Sequence, residues 1–115
     1  MRRPPKPAAI LPAVESDANA DALVSAAAGA AAILRTSDGR FKRILFLCPS
    51  KCGEVLSINL DPRNRPVWRL VIDGEGKPTL YPSVWRTTGC GAHFIVRHGA
   101  VWMLRYDATW PQTRR

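Results

Sequence analysis

From Phe41 onward the apolar residues come in short runs and alternations broken by turn residues, which is the punctuation of a β structure. Ile44 to Leu47 is a compact apolar run that ends at Cys48. Leu56, Ile58 and Leu60 alternate with Ser57 and Asn59, the signature of a half-buried strand. Asp61-Pro62-Arg63-Asn64 reads as a turn, after which Trp68, Leu70 and Ile72 alternate again. Asp73-Gly74-Glu75-Gly76 then turns the chain toward Thr79-Leu80-Tyr81. Phe94-Ile95-Val96 and Val101-Trp102-Met103-Leu104 flank His98-Gly99, a hairpin turn in which Gly99 can supply positive φ. Repeats and heptads are absent, and about six short strands are expected.

Residues 1–38 have a different texture, rich in Pro and then in Ala, with no aromatic residue. Asp17 or Asn19 can cap a helix from about Asp21 to Leu34, where alanine propensity is high. Its few large apolar residues, Leu23, Ile33 and Leu34, predict light packing, and Met1 to about Pro12 is expected to be disordered. The expected division is therefore an N-terminal tail with an Ala-rich helix (1–38), a β-rich domain (39–108) and a C-terminal tail (109–115). The expected fold class is mostly β (α+β), a small zinc-stabilised antiparallel sheet with an N-terminal Ala-rich helix.

Charge sharpens this division. Residues 1–38 carry four basic and four acidic side chains, so the whole net charge of +8 sits on residues 39–115. Such a basic body favours anionic partners, either nucleic acid or the acidic face of a protein. The Ala-rich stretch is too short to span a bilayer and lies downstream of Glu15, Asp17 and Asp21, the wrong order for a signal peptide. A cytoplasmic protein with reduced thiols, and with no membrane partner, is expected.

All three cysteines fall in two glycine-flanked loops. Cys48-Pro49-Ser50-Lys51-Cys52-Gly53 lies between two expected strands, and Cys90-Gly91-Ala92-His93 lies just before another. Two loops of two ligands each are a common way to build a tetrahedral zinc site, so Cys48, Cys52, Cys90 and His93 form the expected Zn²⁺ set. Glycines 53, 89 and 91 suit sharp turns and close amide approach to sulfur. Three thiolates and a neutral imidazole would leave a net charge of about −1, which Lys51 and the basic body would offset. His98, in its turn, is expected to face solvent.

A four-ligand protein site is normally closed, so the constellation alone argues for a structural metal. Chemistry would then fall to a neighbouring group. Glu54 follows the second cysteine and can serve as a general base, or simply be an exposed acid at a strand start. Ser83, in Tyr81-Pro82-Ser83-Val84, approaches the second loop, or else turns the backbone. A zinc deaminase is disfavoured because its His-x-Glu motif is absent.

Taken together, Phe46-Leu47-Cys48, Cys52-Gly53-Glu54, Trp68-Arg69-Leu70, Pro82-Ser83-Val84 and Cys90-Gly91-Ala92-His93-Phe94 resemble a small bacterial family long catalogued as uncharacterised. The resemblance covers about residues 41–104. Many members are encoded beside bacterial ubiquitin-like proteins and their E1-like and E2-like enzymes. The resemblance implies a metal-dependent peptidase that processes or removes the ubiquitin-like tag, with those proteins as partners. This chain departs from the family at Ser50-Lys51, where a central cysteine is common, and at Ala92, where serine is common. The alternative is a non-enzymatic zinc module whose basic face binds nucleic acid or a protein partner.

Overall fold

The computed structural model describes residues 6–104. Ten strands and one helix occur among them: β1 (Ala9–Ile10), β2 (Ala13–Ser16), α1 (Asn19–Ala27), β3 (Ala31–Arg35), β4 (Phe41–Leu47), β5 (Val55–Asn59), β6 (Arg69–Ile72), β7 (Pro78–Tyr81), β8 (Val84–Trp85), β9 (His93–Arg97) and β10 (Ala100–Met103). The protein is mostly β with one short helix, as expected.

One sheet has the order β2-β3-β4-β5, a second β1-β10-β9-β8, and β6 and β7 form a ribbon. The pairing is antiparallel except for β2 with β3, which are joined by α1 in a parallel crossover. Strands β3 and β4 are buried on both faces, which explains their unbroken apolar runs. Ile33, Ile44 and Phe46 face the principal core with Phe94, Val96 and Val101 of the second sheet. Ala32, Leu34 and Leu45 point to the opposite face and pack with Ala22 and Ala26 of α1.

The N-terminal expectations need correction. Ala-rich composition reads as one helix to Leu34, but the helix ends at Ala27 and Ala31–Arg35 is the strand β3. Gly29, at φ +102°, supplies the left-handed residue that reverses the chain between them. Sheet pairing then overrides the alanine propensity. The expected boundary at 38/39 also falls inside a sheet, because β3 pairs with β4 across it. Leu11 and Ile33 belong to the principal core, while Leu23 is exposed. Part of the stretch expected to be disordered, Ala9–Ile10, pairs with β10. Residues 1–5 and the expected tail 109–115 lie outside the described residues.

The His98-Gly99 turn is as anticipated: both residues have positive φ, 51° and 79°. His98 is exposed, with Nδ1 3.2 Å from Asp73. A shorter return concerns the site more. Strands β8 and β9 form a hairpin in which Val84 opposes Phe94 and Trp85 opposes His93. Continued by one residue, this register sets Ser83 opposite Ile95, so Ser83 and His93 are diagonal neighbours on the same face of the pair.

Candidate active site

Ser83 immediately precedes β8, and its backbone is fixed by Trp68, whose Nε1 donates to the Ser83 carbonyl at 3.1 Å. Its hydroxyl lies 3.0 Å from His93 Nε2. The His93 ring stacks on the Trp85 indole, with centroids 5.2 Å apart and planes 22° apart. Burial lowers the His93 pKa below its ordinary 6.5, which keeps the ring neutral near pH 7. A neutral ring with Nε2 unprotonated can accept the serine proton. Among the described residues no carboxylate bonds to Nδ1, so the arrangement is a Ser–His dyad braced by an aromatic face.

The cysteines occupy two loops. Cys48 immediately follows β4, and its amide bonds the Glu54 carbonyl at 2.8 Å, closing the loop that carries Cys52. Cys90 sits in the β8–β9 loop, which is closed by the Arg86 amide on the Ala92 carbonyl at 2.8 Å. The three sulfurs lie within 4.8 Å of one another. Zinc–sulfur bonds of about 2.3 Å in a tetrahedron place sulfurs roughly 3.8 Å apart. Cys48 and Cys90 sulfurs are 3.6 Å apart, so the trio fits a thiolate-binding metal ion. His93, expected with them, lies outside this group; its Nε2 faces Ser83 instead. The reason is local: a strand residue projects to the sheet face, whereas the cysteines ride on loops beyond the strand ends.

Arg86 supplies the local positive charge. Its Nη1 lies 3.6, 3.3 and 3.2 Å from the sulfurs of Cys48, Cys52 and Cys90. Its Nη2 donates to Glu54 at 2.8 Å. Glu54, expected as a catalytic base, is thus engaged with Arg86 rather than with Ser83 or His93. The Ser50 hydroxyl lies 3.1 and 3.2 Å from the Cys48 and Cys90 sulfurs. Hydrogen bonding, first from Ser50 and then from the Glu54 amide, lowers the Cys52 thiol to about 6. Burial raises that of Cys48. Gly89 makes room for the ion pair: a Cβ there would stand 2.8 Å from Arg86 Nη2 and 3.2 Å from Glu54 Oε1.

A family model described as the bacterial ubiquitination-like system serine proteases (BubE) matches residues 17–104. The chain belongs to this family. The matched span begins just before α1 and takes in α1 and β3, while β1 and β2 lie outside it. The family's description corrects the expected metal-dependent class, since it names serine proteases. No curated protein and no solved structure matches the chain.

Sequence reasoning selected both members of the dyad but gave His93 to the metal, and it missed Ser50, Trp85 and Arg86. The sequence signal for the pairing was the approach of Ser83 to the second loop, whose Gly89 and Gly91 permit the hairpin that carries His93 back to it. No helix among the described residues is long and apolar enough to cross a membrane.

Proposed function

We propose that this chain is a serine peptidase acting on a bacterial ubiquitin-like protein, either trimming its precursor or releasing it from a target. Ser83 is the nucleophile and His93 the general base. The observation that carries this reading is the 3.0 Å contact between Ser83 Oγ and His93 Nε2 in a member of a serine protease family. As Ser83 Oγ attacks the scissile carbonyl carbon, its proton passes to His93 Nε2. Collapse of the tetrahedral adduct breaks the C–N bond, and His93 returns the proton to the leaving amine. Water, deprotonated by His93, then hydrolyses the acyl-serine and frees the enzyme. Trp85 holds the imidazole plane during both transfers, the orienting task that a carboxylate performs in a triad.

The cysteine trio is read as a zinc staple. Zinc would be held by Cys48, Cys52 and Cys90, with Arg86 offsetting the excess thiolate charge. Bound there, the ion would cross-link the two loops. The β8–β9 loop joins the strand after Ser83 to the strand that begins with His93, so fixing its tip preserves the dyad. The basic surplus is read as a complement to an acidic protein surface, with the ubiquitin-like protein and its E1-like and E2-like enzymes as partners. The nucleic-acid alternative has no specific observation behind it.

The test is incubation of the purified protein with a bacterial ubiquitin-like protein carrying a C-terminal extension. Cleavage by the wild type and none by S83A is expected. Equal cleavage by S83A would overturn the reading.

A further inference from the structure

A groove of about 370 Å³ has Phe41, Leu60, Val67, Trp68, Arg69 and Tyr81 in its wall, and reaches the dyad through Trp68 rather than through Ser83 itself. Two of these residues are continuous with the dyad. Trp68 bonds the Ser83 carbonyl, and Tyr81 stands two positions before Ser83. The Arg69 guanidinium lies over the Tyr81 ring at 4.8 Å and has no carboxylate partner among the described residues. Another apolar groove, lined by Ile10, Leu11, Leu47 and Pro49 among others, borders the first cysteine loop and includes neither Ser83 nor its neighbours.

A peptide substrate must lay its scissile carbonyl against Ser83 Oγ. In an extended chain each residue advances by about 3.3 Å. A side chain one or two residues from the scissile bond therefore falls within roughly 7 Å of it, and Trp68, in the groove wall, touches the Ser83 carbonyl at 3.1 Å. The groove walls are apolar and aromatic, and the unpaired cation beside them favours an acid. We propose that this groove is the specificity subsite of the enzyme. It takes one large apolar or aromatic side chain within two residues of the scissile bond, and Arg69 selects an acidic neighbour. The proposal rests on Ser83 as the nucleophile, and the experiment separates the two.

A library of internally quenched peptides is cleaved by the full-length protein, and Ser83 is tested in parallel with a fluorophosphonate. Peptides with Phe, Leu or Tyr at one such position are expected to exceed the Gly peptide at least tenfold in kcat/KM, within the range of about 10–200-fold that a filled apolar pocket provides. V67W, which fills the groove, should cut that ratio below twofold. R69E, at an exposed position, should reverse a preference for Asp or Glu into one for Lys or Arg while leaving the thermal midpoint near wild type. Fluorophosphonate labelling of Ser83 with no side-chain preference in wild type, or with a preference unchanged in both variants, overturns the subsite alone. No labelling of Ser83 overturns the nucleophile itself.

Discussion

The cysteine cluster and the Ser83–His93 pair are neighbours along the β8–β9 hairpin, yet they are built in opposite ways. The cysteines ride on two loops whose turns use residues in left-handed conformation, Lys51 and Gly53 in one, Gly89 and Gly91 in the other. The dyad sits at strand ends, where hairpin register and two indoles set its geometry. A loop-borne donor set depends on something to cross-link it. A strand-borne pair inherits its order from the sheet. On the proposed reading the cluster serves stability and the dyad chemistry, and each prediction below separates the two roles.

The largest effect is expected from the dyad. S83A and H93A should each lower kcat/KM by about 10⁴ or more, as removal of a nucleophile or its base does in serine proteases. Zinc content by elemental analysis and the thermal midpoint should stay near wild type. Loss of zinc in H93A would return His93 to the ligand set and blur the distinction.

Next comes the cluster. C48S and C90S should lose their bound zinc, and the thermal midpoint should fall by more than about 10 °C, because metal binding energy in so small a domain is folding energy. Chelation of the wild type should reproduce the fall. A chelated protein that keeps its midpoint would show that the sheets need no staple. Smaller still is G89A, which sets a Cβ against the Arg86–Glu54 pair at a residue with φ +67°. A cost of about 1–3 kcal/mol is expected in urea unfolding, with weaker zinc retention. Equal stability would mean that the pair does not brace the loop.

The smallest effect is pH dependence. Burial lowers the His93 pKa, so the neutral base persists below pH 6.5 and is lost as pH falls through the lowered value. The acid limb of kcat/KM should therefore have its midpoint below 6.5. The same shift makes the unfolded chain bind the proton more readily, so stability too should rise with pH across that interval. A limb centred above 6.5 would contradict a neutral, desolvated ring.

The contrast between loop and strand also explains what could be read without coordinates. Cys48, Cys52 and Cys90 were legible because loop ligands announce themselves by short spacing and flanking glycine. His93 shares that neighbourhood in sequence, but as the first residue of β9 it projects according to the sheet, and only the register of Val84 with Phe94 delivers it to Ser83. Arg86 was illegible for a similar reason. Its guanidinium reaches the sulfurs across a loop, and nothing in its neighbours marks it. The turns and the alternating strands of the second half were clear from Gly, Asp and period-two patterns. The first half misled because Ala22 to Leu34 is Ala-rich on both sides of Gly29. Only long-range pairing with β4 makes its second part a strand, and that pairing carries Ile33 into the core.

The central claim is that Ser83, activated by His93, is the nucleophile and the cysteines are not. Mass-spectrometric mapping of the adduct formed with a fluorophosphonate tests it most directly. One adduct on Ser83 is expected in the wild type, none in S83A, and labelling slowed by at least a hundredfold in H93A. An adduct on another residue, or labelling of Ser83 that is indifferent to H93A, would contradict it.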